Sequence, residues 1–215
     1  MAILAGVKSA MVLFSLPLCI RSHRVRFTLH EKGVPADVEY IDISEPPETF
    51  QELNPYGDMP TMVDRDLVIY DSRIIMEYLD ERFPHPPLQP TDPVSRARGK
   101  MMIYRIEHDW YTLLGDIENA GEKKSAKAKR MLKEGLIAAV PLFEAQPFFM
   151  NDEFSLVDCT LAPLLWRLPS IGVEIPREAE PIRSYSERMF KRKAFQASLS
   201  QQERELAPAE NLLFS

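Results

Sequence analysis

Apolar residues along the chain change their spacing near residue 90, and the elements they predict divide there into two sets. Met11-Val-Leu-Phe14 is an unbroken apolar run stopped by Ser15 and Pro17, which predicts a buried strand and its exit loop. From Ser22 to Lys32 the spacing is helical, with Val25 and Leu29 four apart and Gly33 placed where helices commonly end. Val38 to Ile43 alternates, as a strand with one wet face does. Strand, helix, strand at this separation predicts a right-handed crossover between two parallel strands. A short helix is expected over Glu48 to Leu53, then a loop rich in turn-formers from Asn54 to Pro60. Thr61–Val63 and Leu67–Tyr70, joined by Asp64-Arg65-Asp66, predict an antiparallel hairpin. Asp71-Ser72 caps a helix whose apolar face is expected to be Ile74, Ile75, Tyr78 and Leu79.

Pro84, Pro86, Pro87, Pro90 and Pro93 exclude a lasting helix or central strand between the two halves. Beyond them the period is helical throughout. One stripe runs through Ile103, Ile106, Trp110, Leu113, Leu114 and Ile117, a second through Leu132, Leu136, Ala139, Val140 and Phe143. These predict antiparallel core helices. A third helix, carrying Val157, Leu161, Leu164, Leu165 and Leu168, is apolar around much of its circumference and belongs at the centre of its domain. It starts with Ser155-Leu-Val-Asp158, a capping box with Asp in the acidic position. The expected organisation is an α/β domain over residues 1–88 and an all-helical domain over 89–215, with a mobile tail after about residue 200.

Composition narrows the function. With 215 residues, 45% of them hydrophobic, the chain has material for substantial cores, and its net charge of −6 disfavours direct binding to nucleic acid. Cys19 and Cys159 are the two cysteines, too few and too far apart for a disulfide framework or a zinc site, which fits a reducing cytoplasm. The apolar opening to Ile20 is interrupted by Lys8 and Pro17 and lacks the charge pattern and cleavage site of a signal peptide. No stretch reaches the roughly 20 apolar residues of a membrane span. His23, His30 and His108 show no metal-ligand grouping. Lys123 to Arg130 and Lys191 to Lys193 read as solvated helix faces.

Three features could carry chemistry: Cys19 before the first helix, Met59-Pro60 before the third strand, and Asp71-Ser72 before the last helix of the first domain. Each also has a plain structural role, as a packed cysteine, a turn proline and a helix cap. Together they resemble the glutathione transferase superfamily, with a thioredoxin-like N-terminal domain and a helical C-terminal one. That resemblance implies a cis bond before Pro60, pairing of Met59 with the glutathione backbone, and an Asp71-Ser72 grip on its γ-glutamyl end. Cys19-Ile-Arg-Ser22 falls where thiol-type members carry their cysteine. A helix N-terminus and Arg21 favour a thiolate there.

Glu77-Tyr-Leu-Asp-Glu-Arg-Phe-Pro-His-Pro-Pro-Leu88, Arg105-Ile-Glu-His-Asp-Trp-Tyr111 and Asp152 to Cys159, continued by Leu164 to Pro169, resemble more narrowly the stringent starvation protein A family. The resemblance implies a homodimer built through the helix starting at Ser72 and the helix containing Ile103 to Ile117. It further implies association with RNA polymerase holoenzyme and its housekeeping sigma factor, and regulation of transcription in stationary phase and stress. Transferase activity and a required cofactor are not expected, and the glutathione-type pocket is expected to be vestigial, with glutathione binding still possible. The sigma-factor contact would fall on Pro84, His85 and Pro86, which sequence alone reads first as an ordinary linker and only the resemblance makes a contact. Cys19 departs from the family pattern, where an acidic residue is expected, and keeps open an alternative as the nucleophile of a glutathione-dependent thiol transferase.

Overall fold

The computed structural model describes residues 11–206 and divides them into two compact units. The first comprises residues up to Pro86 together with Ala194–Glu205, the second Pro87–Lys193 and Leu206. In the first unit, strands β1 (Met11–Ser15), β2 (Asp37–Tyr40), β3 (Thr61–Asp64) and β4 (Leu67–Tyr70) form one sheet in the order β2-β1-β3-β4. β1 and β2 are parallel; β3 and β4 form the expected antiparallel hairpin, with β3 also antiparallel to β1. Val12, Phe14 and Val63 cluster with Ile41 and with Phe50 of helix α2 (Glu48–Leu53). Helices α1 (Ile20–Lys32) and α3 (Ser72–Arg82) pack on each other.

Three details differ from the sequence expectation, each for a local reason. β2 ends at Tyr40 rather than near Ile43 because β1 ends at its partner Ser15; one last hydrogen bond, Ile41 N–H to the Ser15 carbonyl at 3.0 Å, closes the ladder. In α3 Ile74 is 55% exposed, while Met76, Ser72 and Asp80 are buried. That helix is rotated by two polar contacts, Ser72 with Arg24 and Asp80 with Lys32. In α1 the buried set extends far beyond Val25 and Leu29 to include His23, Arg24 and Arg26. The segment after residue 193 takes His23 and Arg26, and Ser72 takes Arg24. Helix α11 (Gln201–Glu205) belongs to the first unit with Glu203 fully buried, where a mobile tail of the helical domain was the expectation.

The second unit contains α4 (Pro93–Ile106), a π-helical turn at Glu107–Tyr111, α5 (Thr112–Asn119), α6 (Glu122–Ala138), α7 (Val140–Glu144), α8 (Leu156–Arg167) and α9 (Glu180–Phe190). Helix α10 (Lys193–Ser198) then crosses the boundary between the units. The π turn adds a residue to the helical period. The buried stripe therefore runs Ile103, Ile106, Tyr111, Leu114, Ile117, and Trp110 is half-buried against Gly135 instead of central. Tyr111 donates its hydroxyl to the Thr160 carbonyl at 2.6 Å. All twelve residues of α8 are buried, and its Ser155–Asp158 capping box is formed as the sequence predicts. Among the described residues no helix is long and apolar enough to cross a membrane.

Candidate functional site

Sheet register places the predicted glutathione-type residues at one end of the first unit. Phe14 at the end of β1 pairs with Thr61 at the start of β3, which pairs with Tyr70 at the end of β4. Cys19 follows the first of these strands, Met59-Pro60 precedes the second, and Asp71-Ser72 follows the third, so all three features emerge at the same sheet end. The Met59–Pro60 bond is cis.

Cys19 is partly exposed and stands at the N-cap of α1, with no hydrogen bond from its side chain to the helix. Its carbonyl accepts from His23 N–H at 2.9 Å, so the backbone makes the cap contact and the thiol is not consumed by it. Asp71 has φ 69°, outside the ordinary range for a non-glycine residue, and its carboxylate accepts from the amides of Arg73 and Ile74 at 2.8 and 3.4 Å. Ser72 is buried, and its hydroxyl accepts from Arg24 Nε at 3.0 Å and from Nη2 of the same guanidinium. Ser72 is thus engaged from beneath by α1. What sequence reasoning missed is the support of this end. Asn54, 1% exposed, donates from Nδ2 to the Asp58 carbonyl and to Thr61 Oγ1 at 2.9 and 2.8 Å, bracing the loop that carries Met59-Pro60.

Pro84, His85 and Pro86 are all exposed, and the His85–Pro86 bond is also cis. The Pro86 carbonyl accepts from Lys32 Nζ. Lys32 is buried and its ammonium pairs with Asp80 Oδ1 at 2.7 Å. Exposed rings therefore sit on an anchored backbone, tied to α1 and α3 at once. Neither Lys32 nor Asp80 was visible as a support in the sequence, since a charged pair on two helices reads as surface until the helices are known to touch. Among the described residues, no group of three or more His, Cys, Asp or Glu could hold a metal ion.

Comparison with known proteins bears on this geometry. The glutathione S-transferase N-terminal domain family matches residues 18–82, and the corresponding C-terminal domain family matches residues 98–193. A stringent starvation protein A homolog of Coxiella burnetii is 48% identical over 206 residues, 95% of this chain and 99% of that one. A second, from Haemophilus influenzae, is 50% identical over 90% of this chain and 92% of its own. Among solved structures, a glutathione transferase from Methylococcus capsulatus superposes with a TM-score of 0.80 over 91% of this chain and 99% of that one, at 24% identity. That last likeness speaks for the fold, and the sequence relatives are more specific. The chain belongs to the stringent starvation protein A family, built on the glutathione S-transferase fold.

Proposed function

We propose that the protein associates with RNA polymerase holoenzyme through Pro84, His85 and Pro86, touching the housekeeping sigma factor, and so regulates transcription in stationary phase and stress. The observation that carries this reading is the exposed Pro-His-Pro held from below by Lys32 through the Pro86 carbonyl. A rigid, pre-positioned patch loses little entropy when a partner covers it. Family membership supports the polymerase as that partner and the cytoplasm as the compartment, and the reading calls for no cofactor. Replacing all three residues with alanine touches no core side chain, so the fold survives. Loss of one interface anchor worth about 2 kcal/mol weakens affinity roughly thirtyfold. Titration of holoenzyme with wild type and the triple variant reads this directly, and equal affinities would remove the patch from the interface.

The partly exposed thiol of Cys19, not consumed by the helix cap and at the same sheet end as cis-Pro60, supports a second reading as a glutathione-dependent thiol transferase. Thiol transfer that disappears in Cys19→Ser, with polymerase binding absent from the wild type, would move that reading to first place.

The polymerase-bound form is a homodimer in this proposal. Val94, Met101 and Tyr104 on α4 are 59%, 59% and 51% exposed and share one face of that helix; Ile74 on α3 is likewise exposed. Met101→Asp introduces a charge into such a face and is expected to shift sedimentation from dimer toward the 24.7 kDa chain. A wild-type protein that sediments as a monomer at every concentration excludes the dimer.

A further inference from the structure

A cavity of about 200 Å³ lies wholly within the second unit. Its walls come from the Leu88–Pro90 stretch, one face of α4, and the first turn of α8 with the strand-like turn before it. The floor is apolar: Leu88, Ile103, Phe149, Leu156 and Val157, all buried, with Met102 half-buried beside them. The rim is cationic. Arg96, Arg98 and Lys100 line it, and none of the lining residues is a carboxylate.

Helical geometry explains the arrangement. At 100° per residue, Ser95, Gly99 and Ile103 share the face turned to the cavity, with Arg98 and Lys100 flanking Gly99 on either side. The exposed apolar residues Val94, Met101 and Tyr104 fall on the opposite face, so a dimer built there leaves the cavity open. Gly99 is what makes the space: a Cβ built on it meets Val157 Cγ2 at 3.9 Å, an ordinary contact, and any longer side chain enters the cavity. Arg96 is fixed at the rim by its Nε bond to the Pro90 carbonyl at 3.0 Å, which leaves the terminal nitrogens of the guanidinium for another acceptor. Asp92, the acid at the start of the same helix, directs its oxygens to the amides of Val94 and Ser95 at 3.0 and 2.9 Å. The local backbone donors are used as well. Leu156 N–H goes to the Leu88 carbonyl, Ser155 N–H to Asp158, and Val157 N–H to Ser155 Oγ.

We propose that this cavity is a binding site for a small amphipathic carboxylate, its hydrocarbon body on the Leu88–Ile103–Val157 floor and its anionic head on Arg96, with Arg98 and Lys100 beside it. An apolar floor of this size selects a single hydrocarbon chain, and a cationic rim whose own lining holds no carboxylate, with Asp92 near Arg98 spent on the Val94 and Ser95 amides, selects a negative head over a neutral or positive one. The site has no place in the polymerase reading and would make the protein responsive to a free medium-chain acid.

Isothermal titration of the full chain with octanoate, octanol and octylamine tests it. Saturable binding of octanoate is expected, tighter than octanol and far tighter than octylamine. Arg96→Gln should weaken octanoate roughly tenfold or more while leaving octanol unchanged. Gly99→Leu, which also favours the helix, should abolish binding with thermal stability retained. The proposal is overturned if wild type shows no saturable octanoate binding, if octanol or octylamine binds as tightly, or if octanoate binding survives Gly99→Leu.

Discussion

Glu203→Ala is expected to destabilise the N-terminal unit by about 3–5 kcal/mol, the usual cost of removing one partner from a buried ion pair. Glu203 is fully buried and its Oε2 lies 2.5 Å from Arg26 Nη2, while Oε1 is 3.4 Å from His23 Nδ1. Oε2 also accepts from Ser200 N–H at 2.9 Å. Arg26, itself 1% exposed, continues inward with Nε to the Ser198 carbonyl at 2.9 Å and Nη1 to Ser15 Oγ at 2.6 Å. The alanine variant leaves a guanidinium in the interior facing a void, and water cannot fully replace the carboxylate there. Against a typical domain stability of about 5–15 kcal/mol, that loss is a large fraction of the whole. By contrast Lys191–Glu187 and Arg130–Glu134 are exposed pairs whose removal should be close to neutral. Urea midpoints, with amide exchange along α1 as the local readout, check the assignment. An unchanged midpoint together with full protection of α1 would show that the C-terminal segment does not clasp this unit.

That clasp was not legible in the sequence, and the reason is physical. Periodicity registers apolar residues, so α1 announced itself through Val25 and Leu29, while nothing in the spacing marks His23, Arg24 and Arg26 as interior. The partners of His23 and Arg26 lie far along the chain in a stretch whose apolar pattern is weak, and that of Arg24 is Ser72 on α3. A polar face becomes interior only when charge and hydrogen-bond partners arrive with it, and pairing between distant segments leaves no local period. The π turn defeated the pattern differently. One inserted residue moved Tyr111 into the place expected for Trp110, and no composition signal marks such an insertion.

The end of β1 and the helix caps were legible because their causes are local, whereas the end of β2 depends on its partner strand. Ser15 and Pro17 stop β1, Gly33 takes the left-handed φ of 61° after α1, and Asp71 caps α3 through two amides, as residue type alone suggests. The candidate site was legible as positions. Cys19, Pro60 and Asp71 flank strand ends, and once the hairpin and crossover are right, topology brings them to one end. Its supports were not. Asn54 under the proline loop, Arg24 under Ser72 and Lys32 under Pro86 act across elements whose contact the sequence does not state.

In the helical unit, Asp158→Ala should cost about 3–5 kcal/mol, well beyond the roughly 0.5–2 kcal/mol of an ordinary helix cap. Asp158 is fully buried and receives four hydrogen bonds. Oδ2 accepts from Ser155 N–H at 2.9 Å and Ser155 Oγ at 3.1 Å; Oδ1 accepts from Phe149 N–H at 3.0 Å and from the Tyr185 hydroxyl at 2.7 Å. Burial pushes its carboxyl up from the usual aspartate range, and the bonds from Phe149, Tyr185 and Ser155 oppose that push. Burial, with the nearby Asp158 charge, also holds the Tyr185 hydroxyl well above its ordinary value, so it stays protonated and donates. Truncation to alanine orphans several buried donors at once, each costing about 1–3 kcal/mol before relaxation, and opens a void beside Phe143 and Phe149, whose rings stack edge-on at 4.7 Å. Ser155→Ala removes the acceptor of Val157 N–H and one of the four donors to Asp158 but leaves the contacts to Phe149 and Tyr185 intact, so it should fall near 1 kcal/mol. The ratio between the two variants separates a central network from a simple cap. Denaturant midpoints that drop equally for Asp158→Ala and Ser155→Ala would reduce Asp158 to its capping role and remove Tyr185 and Phe149 from the account.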